Sequence, residues 1–117
     1  MGKIAINGMR FYAHHGCFEE ERAIGTHFLV DLQLETDTRT AEVSDSISDT
    51  VNYLEVYQVV KREMGRPSNQ LEHVARRTGE AIRSGFPDTK SVRVKVYKMN
   101  PPLGGQMESV SVEVTLP

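Results

Sequence analysis

The chain has 117 residues, 38% of them hydrophobic and 26% charged, with a formal net charge of −2 and a sequence pI of about 6.1. That length and composition describe one soluble globular domain over residues 1–117. The weak acidity argues against nucleic acid or an anionic membrane as a partner, and no apolar run is long enough to span a bilayer.

The first residues, Met1-Gly2-Lys3-Ile4-Ala5-Ile6, alternate in polarity and do not form the apolar block of a signal peptide. Ile4, Ile6, Met9 and Phe11 mark a first strand over residues 3–13, with a bulge expected at Asn7-Gly8 where the phase slips. His14-His15-Gly16 follows, and then an acidic piece, Glu19-Glu20-Glu21-Arg22, expected to be mobile. Cys17 has no second cysteine to pair with, so a cytoplasmic location is expected. Beyond Gly25, Phe28, Val30, Leu32 and Leu34 alternate with His27, Asp31, Gln33 and Glu35, which predicts a second strand pairing antiparallel with the first.

Residues 36–50 are rich in Thr, Ser and Asp and read as a loop. Asn52 can cap a helix, with Glu55 three residues on and an apolar stripe of Tyr53, Val56, Tyr57, Val60 and Met64. Gly65-Arg66-Pro67-Ser68 breaks it. Asn69 can cap a second helix, again with an acid, Glu72, at capping-box spacing; Leu71, Val74, Ala75, Thr78 and Ile82 form its inner face. Val92, Val94 and Val96 set the phase of a third strand, closed by Asn100-Pro101-Pro102, and Val110, Val112, Val114 and Leu116 that of a fourth over residues 107–116. The order is β-β-α-α-β-β. Two helices on one face of a four-stranded antiparallel sheet satisfy every apolar stripe, which makes an α+β fold. Gln33, Glu35, Arg93, Lys95, Ser109 and Ser111 line the other face. The exposed sheet edges favour a homo-oligomer.

Four residues could carry chemistry. Lys98 falls on the valine side of the third strand, where an apolar residue is expected. It either snorkels from a strand end or is an amine held in a pocket. Glu72 either caps its helix or, with free amides beside it, holds a ligand edge that has both donors and an acceptor, such as that of guanine or a pterin. Tyr53 reads as core packing with its hydroxyl at the rim, and Glu21 as part of a solvated loop. Neighbouring His14 and His15 point to opposite faces and do not readily share a metal; His27 and His73 read as surface or structural, and no CxxC or HExxH pair is present.

Gly8-Met-Arg-Phe-Tyr-Ala-His-His-Gly16, Asp49-Thr-Val-Asn-Tyr53, Leu71-Glu72-His73 and Lys98-Met-Asn-Pro-Pro102 together resemble the successive motifs of dihydroneopterin aldolase, over about residues 3–116. The resemblance implies the tunnelling fold, in which four subunits close a barrel and two rings stack as an octamer. It implies retro-aldol cleavage of 7,8-dihydroneopterin in folate biosynthesis, with epimerisation to dihydromonapterin, and neither a metal, a cofactor nor a lysine Schiff base. Carried over by position, Lys98 is the general acid/base and Glu72 anchors the ring with the backbone at Leu71. Tyr53, from a neighbouring subunit, protonates the enol carbon or orients the hydroxyls, and Glu21 helps hold the tail or the catalytic water. Val51 and Cys17 offer backbone contacts. Gly104 and Cys17 depart from the usual pattern, and the loop after Lys98 is expected to be looser. The alternatives are a dihydroneopterin triphosphate 2′-epimerase, which the acidic Glu19–Glu21 run disfavours, and a pterin-binding oligomer without turnover.

Overall fold

Period-two alternation pairs four strands into one antiparallel meander, β1-β2-β3-β4, in the computed structural model, which describes residues 1–117. The strands are β1 (Gly2–Ala13), β2 (Thr26–Thr36), β3 (Ser91–Met99) and β4 (Ser109–Leu116). The register aligns the apolar phases: Ile4 with Leu34, Val30 with Val96, and Val94 with Val114. The pairing of β1 and β2 shifts between Ile6 and Met9, where Gly8 takes φ +68°. Its amide, released from the ladder, donates to Asp31 Oδ1 at 2.7 Å.

The two long helices between β2 and β3 lie on one face of the sheet. They are the last two of four, numbered below in chain order as α3 (Tyr53–Met64) and α4 (Leu71–Gly85). Val56, Val60, Val74, Ala75 and Ile82 meet Phe28, Val30, Leu32, Leu34, Val92, Val94 and Val96 in a core with almost no exposure. Each such side chain contributes about 1.5–3 kcal/mol by leaving water. Gly79 lets α4 press against the end of β4, since a Cβ there would stand 2.5 Å from Leu116 Cδ1. No helix is long and apolar enough to cross a membrane.

The local expectations need four corrections. The acidic piece after Cys17 is a helix, α1 (Glu19–Ile24), tied down on several sides. Tyr12 Oη donates to the Ile24 carbonyl at 2.6 Å, His14 Nδ1 donates to that of Arg22 at 2.9 Å, and Arg22 Nη1 reaches Asn69 Oδ1 at 3.0 Å. Residues 36–50 hold a short helix, α2 (Arg39–Ser44), and a 3-10 turn (Ile47–Asp49). Tyr53 is not core packing: it is 67% exposed, because it stands on the outer side of the first turn of α3. Asn52 does cap α3, accepting from the Leu54 amide at 3.0 Å. The cap residue of α4, however, is Gln70 and not Asn69, and no side chain bonds the free amides there. Asn69 is diverted to Arg22, and Gln70 to the Cys17 thiol.

Candidate active site

Strand register brings Lys98 opposite Phe28 and Val110, on the core side of the sheet. There α1 covers it, and Lys98 Nζ forms an ion pair with Glu21 Oε1. Only 13% of the lysine side chain and 19% of the glutamate side chain are exposed, so the amine neither snorkels freely nor is sealed. The hydrogen bond from Lys98 holds the Glu21 carboxyl below the usual carboxylate range, against the opposing effect of burial.

The stem of Glu21 is fixed by Gly16. A Cβ on Gly16 would meet both Cβ and Oε2 of Glu21 at 2.6 Å. The Phe18 amide donates to the same Oε2 at 3.4 Å. Gly16→Ala is therefore expected to swing Glu21 off Lys98. Turnover should fall roughly tenfold, with the fold kept, as for a small displacement of a positioned group; steady-state kinetics beside circular dichroism checks it.

A cavity of about 260 Å³ opens over this pair, lined by Glu20, Glu21, Thr26, Lys98, Asn100 and Pro102 among others. Asn100 takes φ +50° and donates its amide to the Glu108 carbonyl at 2.9 Å, which holds the loop after Lys98. Sequence reasoning did not single out Asn100. Its signal was an asparagine ahead of two prolines, since asparagine tolerates the left-handed region. Gly104, expected to loosen the loop, sits at φ +87°, a conformation that suits glycine.

The first turn of α4 lies next to this end of the sheet. Cys17, exposed and free, donates its thiol to the Asn69 carbonyl at 3.3 Å and receives Gln70 Nε2 at 2.9 Å. That joins the loop before Glu21 to the loop before Leu71. Glu72 is exposed and Leu71 half-buried. With Gln70 as cap, the first helical bond is Val74 N–H to Gln70 O, so the amides of Leu71, Glu72 and His73 have no helical acceptor. A carboxylate beside free amides can bind a ligand edge carrying both donors and an acceptor.

Val51 and Tyr53 lie elsewhere. Val51 lines a groove of about 540 Å³ with Thr36, Asp37, Asn52 and Phe86. Thr36 is eight residues from Phe28 on β2, or roughly 26 Å along the strand from the level of Lys98. One chain thus brings together Lys98, Glu21, Cys17, Leu71 and Glu72, and leaves Val51 and Tyr53 at the far end. No three His, Cys, Asp or Glu residues converge as a metal-binding group would.

The fold is a four-stranded antiparallel sheet with helices on one face, and an ion pair and a cavity lie together at the end of β3. The family model for FolB, dihydroneopterin aldolase, matches residues 4–115. A dihydroneopterin aldolase of Staphylococcus epidermidis is 41% identical over 112 residues, covering 95% of this chain and 93% of its own. The crystal structure of E. coli dihydroneopterin aldolase in complex with neopterin superposes with a TM-score of 0.91 over the whole of both chains at 21% identity. A dihydroneopterin aldolase from Burkholderia thailendensis, solved bound to guanine, superposes with a TM-score of 0.79 at 18% identity over 98% of this chain and 89% of its own. The chain belongs to the dihydroneopterin aldolase family, carbon–carbon lyases of folate biosynthesis.

Proposed function

We propose that this protein splits 7,8-dihydroneopterin into 6-hydroxymethyl-7,8-dihydropterin and glycolaldehyde in the cytoplasm, and also inverts the 2′ carbon to give dihydromonapterin. The observation that carries the reading is the half-enclosed Lys98–Glu21 pair beside the open first turn of α4. Removal of the 2′-hydroxyl proton lets C2′–O become the aldehyde carbonyl. The C1′–C2′ bond breaks, and its electron pair moves through C6 to N5, which takes up a proton. The ring is the electron sink. Protonation at C1′ with loss of the N5 proton gives the hydroxymethyl product. Return of glycolaldehyde by its other face, before release, gives the 2′ epimer.

The chain's own side chains supply these steps, without a cofactor. Lys98 moves the 2′-hydroxyl proton, directly or through a water, as general acid/base. Glu21 balances its charge and holds the hydroxylated tail. Glu72 accepts from the ring amino and N–H groups as a charge-assisted fork, while the backbone at Leu71 completes the edge. Neopterin and guanine, the ligands named for the two solved relatives, share that amino–oxo edge. Cys17 and Val51 contribute backbone contacts. Tyr53 meets the C1′–C2′ bond only across a subunit boundary, since in one chain it stands at the far end from Lys98. That requirement, with the two open edges at β1 and β4, supports closed rings and an octamer of two such rings. Glu20 and Glu21 at the cavity oppose a triphosphate tail.

The test is incubation with 7,8-dihydroneopterin in the presence of chelator, followed by chromatography of the pterins. Hydroxymethyl-dihydropterin with glycolaldehyde is the expected outcome. Monapterin alone would make the protein an epimerase, and bound but unchanged substrate would make it a binding oligomer. Glu72→Ala is expected to weaken binding of the product pterin by more than tenfold, as for loss of a charge-assisted pair. Because Glu72 makes no cap bond, melting should shift little; equal binding in calorimetry would remove Glu72 from the site.

A further inference from the structure

Beneath the site, one buried serine touches both halves. Ser68 is 5% exposed, and each of its polar groups is engaged. Its amide donates to His15 Nδ1 at 3.0 Å, and its carbonyl accepts the Gly16 amide at 2.9 Å. Its hydroxyl lies 2.7 Å from His73 Nδ1 and accepts from Arg77 Nη1 at 2.9 Å. The backbone bonds therefore reach the loop that carries Glu21, through Gly16, on which the Glu21 side chain rests. The hydroxyl bonds reach the first two turns of α4, where His73 follows Glu72 directly.

We infer that Ser68 is a positioning residue for the aldolase reaction: through Gly16 on one side and His73 on the other, it sets the spacing between the Lys98–Glu21 pair and the Glu72 edge. The inference rests on the roles proposed above for Glu72 and Lys98. A pterin held at Glu72 presents its tail to Lys98 only if that spacing suits the length of the molecule. Errors near 1 Å in such placement cost up to about a hundredfold in rate. Arg77 fixes the arrangement from below. Its guanidinium donates to the carbonyls of Glu63 and Arg66, and its Nε lies 3.0 Å from the buried Glu63 carboxylate. With Arg77 donating to the Ser68 oxygen, the serine proton is free to point at His73 Nδ1.

The experiment compares Ser68→Ala, Ser68→Thr, His73→Ala and His73→Asn with the parent. Ser68→Ala keeps both backbone bonds and deletes only the link to α4. Turnover of dihydroneopterin should fall about tenfold, while the Kd for 6-hydroxymethyl-7,8-dihydropterin, which needs the ring edge alone, stays within about twofold. Ser68→Thr restores the hydroxyl and should recover most of the rate. His73 is exposed, so its replacement does not threaten the fold; His73→Ala should repeat the loss, and His73→Asn, whose amide oxygen can stand where Nδ1 stood, should relieve it. An unchanged kcat in both alanine variants, or a parallel loss of kcat and product affinity, overturns the inference. Turnover by the parent protein reports separately on the aldolase reading itself.

Discussion

Lys98→Ala is expected to lower turnover of 7,8-dihydroneopterin by roughly 10² or more and to leave product affinity within a few fold, as for loss of a general acid/base group that makes little ground-state contact. The argument begins with strand phase. Lys98 pairs with Phe28 and Val110, so its stem leaves the sheet on the core side, where α1 caps it. No other cation approaches Glu21, whose carboxyl is held ionised chiefly by the lysine hydrogen bond. Removing the amine takes away the largest lowering influence and leaves only the Phe18 and Cys17 amides against burial, so the Glu21 carboxyl should take up a proton at higher pH than in the parent. Carboxyl-carbon NMR titration reads that upward shift directly. Kinetics and product titration read the rest: equal losses in kcat and in affinity would make Lys98 a binding residue. Borohydride with substrate should trap no adduct, since the ring itself accepts the electrons; an adduct on Lys98 would replace the mechanism.

The strands and long helices were legible because each repeats one apolar period over several turns or pleats. Val92, Val94 and Val96 announce their face without help from the rest of the chain. So did the lysine, since a charged residue in an apolar phase is a local anomaly. What covers Lys98 was not legible. Glu19–Arg22 has no apolar stripe, and its helix exists because Tyr12 and His14 just before it, and Asn69 and Lys98 far along the chain, hold it. The capping spacing of Asn69 and Glu72 was a true pattern with a false consequence. Arg22 competes for the Asn69 side chain, and the helix begins one residue later. That error favours function, because an uncapped first turn keeps its amides for a ligand. Glu72 was singled out by its place at a helix start, and Leu71, Val51, Cys17 and the role of Tyr53 by resemblance; their order in the chain carries no distance. Only the folded chain places the first two beside Cys17, and Val51 and Tyr53 at the opposite end. Ser68 escaped notice because a serine in a Gly-Arg-Pro-Ser break reads as turn chemistry, and its four partners come from two other segments, the loop after β1 and α4.

Acid should destabilise the fold through His15 well before the surface carboxylates titrate. The imidazole is 1% exposed, edge-on to Phe28 with ring centroids 5.1 Å apart. Its Nδ1 accepts the Ser68 amide, so the neutral ring carries its proton on Nε2, which is buried without a partner. A second proton would have to sit on Nδ1, facing another N–H, in an apolar site near the Arg77 charge. Burial first and Arg77 second push the pKa down from 6.5 to about 4, against a weaker pull from the Met64 backbone. Between those values the unfolded chain binds a proton that the folded chain refuses, so stability rises with pH across the window. The contribution is fully present above about pH 6.5 and falls by about 3 kcal/mol as pH drops to 4, at 1.36 kcal/mol per pKa unit. Glu21 and Asp37, whose carboxyls are held low by Lys98 and Arg39, lose their contributions as pH falls through the ordinary carboxylate range and below it, largely after the histidine window. Urea midpoints at pH 7, 5.5 and 4.5, at one protein concentration, isolate the histidine. His15→Asn can offer an oxygen to the Ser68 amide but has no ring to protonate. It should be less stable at pH 7, because the contact with Phe28 is lost, and nearly flat over the same pH range. If its midpoint falls with acid as steeply as that of the parent, the acid sensitivity belongs to another group.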